Sequence, residues 1–186
     1  MTRIAVIGAG IGGIALASRL ASSHDVVVFE KGRGIGGRMA SRRTPGFSFD
    51  HGAQYFTVRD PVFAALLAPA MAAGAVAPWT GSIARIADGV MAGLAEPRDR
   101  HLVGVPTMNS AVKALADGLD VRLGVEIAPL AGRTSQGWRL AASDGTDHGL
   151  FDWVVSTTTA HQTTALFAGN APSEGALRSA RMAPCC

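Results

Sequence analysis

The first forty residues leave little freedom in what this chain can build. Arg3–Gly8 (RIAVIG) reads as a strand. It runs into Gly8-Ala9-Gly10-Ile11-Gly12-Gly13 and then a helix-like stretch, Ile14–Ala21. A second apolar strand, Val26–Phe29, ends on Glu30, and a second glycine-rich segment, Gly32–Met39, follows directly. A GxGxxG pattern alone is weak. Here a strand precedes it, a helix follows it and an acid closes the next strand. That context predicts a dinucleotide-binding βαβ unit rather than an empty glycine-rich turn.

Each position has a physical reason. Gly8 lets the chain turn sharply out of the strand. Gly10 lacks a Cβ, so a pyrophosphate can approach the backbone, and Gly13 lets the helix pack closely on the sheet. The helix start then offers unpaired N–H groups and the positive end of its dipole. Glu30 is placed to accept hydrogen bonds from the ribose hydroxyls of an adenosine. Its charge disfavours a 2′-phosphate, so FAD or NAD fits better than NADP.

A nicotinamide domain needs only Gly8, Gly10, Gly13 and Glu30. This chain goes on with Lys31-Gly32-Arg33-Gly34-Ile35-Gly36-Gly37-Arg38-Met39, then Phe49-Asp50-His51-Gly52-Ala53-Gln54-Tyr55-Phe56. The pair of motifs resembles the amine-oxidase-like FAD enzymes, and most closely their renalase-like bacterial branch, with its GGRM…D.GAQYF signature. The resemblance runs along nearly all of the chain. It implies an FAD cofactor, with the GGR turn around the pyrophosphate and ribose and the GAQ segment beside the flavin. The residues expected to touch the cofactor are Gly8, Gly10, Ile11, Gly12 and Gly13 in the first turn, and Glu30 and Lys31 after the second strand. Gly37, Arg38 and Met39 in the second turn follow, then Gly52, Ala53, Gln54 and Tyr55. An arginine fork at Arg38 suits a phosphate. Arg42 and Arg43 read as a solvated loop, and His51 as a hydrogen-bonding spacer.

The chain has 186 residues, 48% of them hydrophobic and 17% charged, enough for a globular fold with its own core. A net charge of +3 carries no lysine run or aromatic-basic interleaving, so a nucleic-acid partner is not expected. Two adjacent cysteines, Cys185 and Cys186, suit neither a structural disulfide nor a metal, and no metal-ligand spacing occurs elsewhere. The apolar run Val62–Ala77 is interrupted by Pro69 and Gly74, too broken for a membrane span. With a strand almost at the N-terminus, a cytoplasmic, reduced setting is expected.

The expected fold class is α/β, a Rossmann-like FAD/NAD(P)-binding domain with a parallel sheet plus part of a mixed α+β substrate-side domain. Residues 1–58 and 104–168 would form the cofactor domain, 59–103 a partial substrate-side insertion and 169–186 a truncated C-terminal segment. Asp60 and Pro61 read as the cap and first position of a helix to Ala73, with Phe63, Leu66, Leu67 and Ala70 buried and Gly74 ending it. Strands are expected at Val76–Trp79, Ser82–Ile86 and His101–Val103, with turns at Asp88-Gly89 and Pro97-Arg98. Core packing is the expected role of Trp79 and Met91. A helix is expected at Ala111–Asp117, closed by Gly118, then strands at Val121–Leu123, Gly124–Pro129, Trp138–Ala142 and Phe151–Ser156. Helices over Ala160–Phe167 and 174–182 follow. The resemblance implies contact of Val125, Glu126 and Ile127 with the adenine side of FAD, and places Thr157 and Thr158 near the dinucleotide. Together with Thr159 they equally suit a helix N-cap for Ala160–Phe167, and both readings stand.

Relatives of this kind run to about twice this length, by the same resemblance, and carry a late glycine-acidic flavin motif. No Gly-Asp pair near this C-terminus matches it. Three functions therefore stand. The first is a flavin oxidoreductase removing a hydride from a small amine or dihydronicotinamide-type substrate, with no catalytic side chain assigned. The second is a non-catalytic fragment that binds the ADP half of FAD or needs a partner chain. The third is a short NAD-dependent dehydrogenase, which leaves Gly36–Arg38 and Gly52–Gln54 unexplained.

Overall fold

A computed structural model describes residues 1–82, 84–94, 101–170 and 174–181. In chain order the elements are β1 (Arg3–Ile7), α1 (Ile11–Leu20), β2 (Asp25–Glu30), β3 (Ser41–Thr44), β4 (Phe47–Asp50), α2 (Pro61–Ala72), β5 (Val76–Pro78), β6 (Ala84–Ala87), β7 (Val90–Leu94) and β8 (Leu102–Gly104). Then come α3 (Asn109–Leu115), β9 (Asp120–Leu123), β10 (Arg133–Thr134), β11 (Gly137–Ala141), β12 (Asp147–Phe151), β13 (Trp153–Ser156), α4 (Ala160–Phe167) and α5 (Glu174–Ser179). The expected turn at Pro97-Arg98, residue 83 of the expected strand, Met182 and the Cys185–Cys186 pair lie outside the described residues.

The chain divides into two compact units, residues 1–37 with 116–186, and residues 38–115. The motif-based division at 58 and 103 groups residues by expected cofactor role. Contact instead divides the chain at Gly37 and Leu115.

The first unit is built on a four-stranded sheet in the order β13-β1-β2-β9, every neighbouring pair parallel. This is the expected α/β class with a parallel sheet. Successive side chains of a strand point to opposite faces. Ala5 and Ile7 of β1 with Val27 and Phe29 of β2 therefore meet one layer, formed with Leu140 of β11, Phe151 of β12, Ile127, Leu130 and Leu166. Ile4, Val6, Val26 and Val28 are buried too, and α1 packs on β1 and β2 through Ile14 and Ala17. Strands covered on both faces explain the unbroken apolar runs in their sequences.

The strand expected over Phe151–Ser156 is two strands, β12 and β13. Asp152 breaks it: its N–H donates to the Arg3 carbonyl and its carboxylate accepts from the Arg3 N–H at 2.7 Å. The chain thereby passes from the antiparallel sheet β10-β11-β12 to the parallel one. The strand expected over Gly124–Pro129 is a single bridge between Ile127 and Ala142. Gly124, at φ 70°, and Val125 donate instead to the carbonyls of Gly32 and Glu30. Helix α4 has the expected bounds. Thr159 caps it, and Gln162 completes a reciprocal capping box.

The second unit contains the β3–β4 hairpin, α2, the pair β5–β8, the hairpin β6–β7 and α3. Asp60 caps α2 by accepting from Phe63 N–H at 2.9 Å, and Gly74, at φ 72°, follows its end. Leu67 and Ala70 are buried, Phe63 and Leu66 partly so. Pro69 lies inside α2 without ending it. Helix α3 starts two residues earlier than expected, its first N–H groups held from outside. Met108 N–H donates to Asp50 Oδ1 and Asn109 N–H to Ser41 Oγ. Trp79 and Met91 are exposed rather than in a core. Met91 sits on the two-stranded β6–β7 hairpin, both strands of which are exposed along their described length.

Replacing Leu140, fully buried in the first unit, by alanine is expected to cost about 2–5 kcal/mol in urea unfolding. Trp153→Ala, at a residue 64% exposed, is expected to change stability by less than about 0.5 kcal/mol.

Candidate functional site

The carboxyl end of β1 carries the densest set of constrained backbone in the first unit. Gly8 leaves the strand at φ 107°, a region that only glycine adopts without strain. A Cβ on Gly13 would lie 2.0 Å from the Gly8 carbonyl oxygen and 2.6 Å from Thr157 Oγ1. Only the missing side chain lets α1 start this close to β1. Gly10 is the N-cap residue of α1 in extended conformation, with no side chain bonding to the first helical N–H groups. The first intrahelical bond is from Ile14 N–H to the Gly10 carbonyl. The N–H groups of Ile11, Gly12 and Gly13 therefore lie in the turn that an α-helix leaves unpaired, at the positive end of its dipole. A Cβ on Gly10 would find its nearest atom, Gly37 Cα, at 3.9 Å, so space is open above this backbone.

The second glycine-rich segment folds back onto the first. Gly36 N–H donates to the Ala9 carbonyl at 3.0 Å, and Gly10 and Gly36 form a parallel bridge. Gly37, at φ 55°, would touch Gly10 Cα at 3.1 Å with any Cβ. Glu30 ties the two segments together. Its Oε2 accepts from Ala9 N–H at 2.8 Å and its Oε1 from Gly32 N–H at 2.7 Å. An ionised carboxylate has about four acceptor sites, so both oxygens keep capacity for ribose hydroxyls.

Beside Glu30 lies a cleft of about 200 Å³, lined by Gly124–Glu126, Ala142–Asp144, Thr146 and His148. The Thr146 N–H and side chain hold the Asp144 carboxyl below the usual carboxylate range. Glu126 pairs with Lys31 at 3.9 Å. The His148 ring sits 4.9 Å from that of Phe29, and its Nε2 is buried without a hydrogen-bond partner among the described residues. Two carboxylates on this lining suit a neutral, hydrogen-bonding group better than a phosphate. Sequence reading did not single out Asp144, Thr146 or His148. Asp144 and Thr146 lie in the β11–β12 turn and His148 on β12, and no sequence motif marks their approach to the end of β2.

Of the expected cofactor residues, Gly8, Gly10, Ile11, Gly12, Gly13, Glu30, Lys31, Gly37, Glu126, Thr157 and Thr158 fall in the first unit. Ile127 is in its core rather than on the cleft. Thr157 lies under the β1 turn, its Oγ1 3.1 Å from the carbonyls of Ile7 and Gly8. Thr158 joins Ser156 and Thr163 in a triangle of hydroxyls with sides of 2.7–3.1 Å. The N-cap role belongs to Thr159.

The second unit holds Arg38, Met39, Gly52, Ala53, Gln54 and Tyr55. Ala53 N–H donates to the Arg38 carbonyl at 2.9 Å, and a Cβ on Gly52 would fall 2.0 Å from that oxygen. The GGR turn and the GAQ segment are thus held together by backbone contact. Met39 is buried. The Arg38 guanidinium is exposed, with no partner among the described residues. Gln54 is exposed. Tyr55 meets His101 edge-on at 4.2 Å and lies 6.0 Å from Trp79. His101 carried no sequence signal. Arg42 and Arg43 are exposed, on β3 rather than in a loop.

Residues 6–69 match the NAD(P)-binding Rossmann-like domain family. A curated relative, the 4,4'-diapophytoene desaturase (4,4'-diaponeurosporene-forming) of Staphylococcus aureus, is 53% identical over 51 residues, 27% of this chain and 10% of the relative. The fold is similar to that of a protein from Exiguobacterium sp. 255-15, provisionally described as a protoporphyrinogen oxidase. The TM-score is 0.69 at 13% identity, over 96% of this chain and 63% of that one. It is also similar to the tetracycline destructase Tet(51), with a TM-score of 0.65 at 15% identity over 90% and 41% of the chains. A fatty acid isomerase from P. acnes gives 0.67 at 12% identity over 89% and 60%. The chain thus spans less than two thirds of the length of these relatives. Residues 6–69 thus carry a Rossmann-like NAD(P)-binding domain, and the likeness to these solved structures is one of fold. Among the described residues no group of side chains is arranged to hold a metal, and no helix is long and apolar enough to cross a membrane.

The two adjacent glycines of the turn are expected to respond unequally to a methyl group. Gly12 has nothing within 4 Å of its would-be Cβ, so Gly12→Ala keeps unfolding free energy within about 1 kcal/mol of the parent. Gly13→Ala forces α1 off β1 and costs about 1–3 kcal/mol in urea unfolding.

Proposed function

We propose that this chain is the FAD-binding part of a flavin-dependent oxidoreductase. The uncapped start of α1 above the Gly8–Gly13 turn carries the reading. Its N–H groups and dipole match a pyrophosphate, and the absent Cβ at Gly10 gives that group access to the backbone. Glu30, at the end of the next strand, would take the adenosine ribose. The cleft beside it, lined in part by Val125 and Glu126, would take the adenine. Arg38 supplies a guanidinium fork suited to phosphate oxygens. Bound flavin supplies hydride acceptance; the protein supplies binding, orientation and electrostatics.

Within that class we place the chain in the renalase-like, amine-oxidase-related branch, acting on a small amine or a dihydronicotinamide. The run Gly36–Met39 followed by Asp50–Phe56 supports this placement, and it rests on that run alone. A second reading, an ADP-half binding module without turnover, is supported by the site in the first unit, where the Gly8–Gly13 turn and Glu30 suit a nucleotide and no catalytic side chain is assigned.

Titration of FAD into the purified chain is expected to shift the flavin's visible absorbance and quench its fluorescence. ADP should displace it at least about tenfold better than ADP bearing a 2′-phosphate, because Glu30 repels the extra charge. Unchanged flavin spectra at saturating protein would contradict the reading. Binding without flavin reduction by amines or dihydronicotinamides would select the second one.

A further inference from the structure

We propose that Thr157 is a positioning residue for the phosphate-binding turn, acting through the peptide between Gly8 and Ala9 and not by touching the nucleotide. The inference rests on the reading of that turn as a pyrophosphate site.

A peptide unit is planar, so holding its carbonyl and its N–H fixes the whole plane. The Gly8–Ala9 unit is held at both ends. Its N–H donates to Glu30 Oε2 at 2.8 Å. Its carbonyl lies 3.1 Å from Thr157 Oγ1. The same hydroxyl is 3.1 Å from the Ile7 carbonyl, but that oxygen already receives the Thr157 N–H at 2.9 Å. The single hydroxyl proton is therefore best used on Gly8. Among the described residues it is the donor found for that carbonyl.

The next peptide, Ala9–Gly10, is fixed at its carbonyl by Gly36 N–H. Two consecutive planes thus set the direction in which the chain enters α1 and aims its free N–H groups. Thr157 also fills the space that a Gly13 Cβ would occupy, its Oγ1 lying 2.6 Å from that point. One hydroxyl thus bears on both the first and third glycines of the pattern.

Thr157 is itself held. Thr158 and Ser156 on either side bond to each other and to Thr163 of α4 at 2.7–3.1 Å. Its own N–H extends the β1–β13 pairing by one residue. The turn is therefore braced from α4 through β13 to the start of α1. A group that presets donor direction matters for the ligand part that those donors bind. For this nucleotide that part is the pyrophosphate, not the adenosine.

The test is calorimetric titration of ADP and of adenosine into the whole chain and its Thr157→Val and Thr157→Ser variants. Thr157→Val keeps the shape and removes the hydroxyl. It is expected to bind ADP about tenfold more weakly, the size of one lost hydrogen bond, with adenosine affinity unchanged. Thr157→Ser keeps the hydroxyl and should hold ADP affinity within about twofold of the parent. Equal ADP affinity in Thr157→Val and the parent overturns the inference, as does a parallel loss of adenosine binding. Loss of ADP affinity in Thr157→Ser also overturns it, because the methyl group and not the hydroxyl would then matter. A parent chain that binds adenosine but not ADP, or neither, overturns the nucleotide reading and this inference with it.

Discussion

The approach of α1 to the end of β1 at Gly13 is the constraint on which the rest of the first unit depends. At that point helix and strand are so close that no side chain fits between the Gly8 carbonyl and the Gly13 Cα. The contact sets where the helix begins and therefore where its unpaired N–H groups lie. It also leaves Gly8 in a conformation reserved for glycine. The apolar ladder of β1 with β2 and β13 holds the strand, and the layer around Phe29, Leu140 and Phe151 holds the ladder. The constrained backbone geometry of the turn is thus sustained by packing beneath it.

Glu30 joins an observed structural role to the binding role proposed for it. Its position at the end of β2 is what a ribose acceptor needs. In this structure it also staples Ala9 to Gly32, closing the second glycine-rich segment over the first. Gly36 repeats the tie through the Ala9 carbonyl. The two glycine-rich segments therefore act as one surface, which explains why the chain spends so many glycines on both.

The parts of the fold legible in the sequence are those whose signals are local. β1, α1 and β2 were legible from apolar runs and glycines, α2 from Asp60 and Pro61, and α4 from the threonine run before Ala160; the part of Gln162 in its cap was not. The hairpin β3–β4 was not, because Arg42, Arg43, Phe47 and Phe49 are all exposed and no face is buried to impose alternation. β7 escaped for the same reason. The break at Asp152 depends on Arg3, at the other end of the chain, and no local pattern records it. In the candidate site the glycines and Glu30 were visible because their spacing is the signal. The roles of Thr157 and of the cleft at Asp144 and His148 depend on pairings between distant segments. The GGR and GAQ motifs were visible as text, but their backbone contact at Arg38 and Gly52 is a matter of folding.

The most direct measurement of the central claim is a crystal structure of the chain with ADP. The account predicts the pyrophosphate within hydrogen-bond distance of the Ile11 and Gly12 N–H groups, with a ribose hydroxyl on a Glu30 oxygen. A diphosphate bound away from the Gly8–Gly13 turn, with the start of α1 empty, would contradict it.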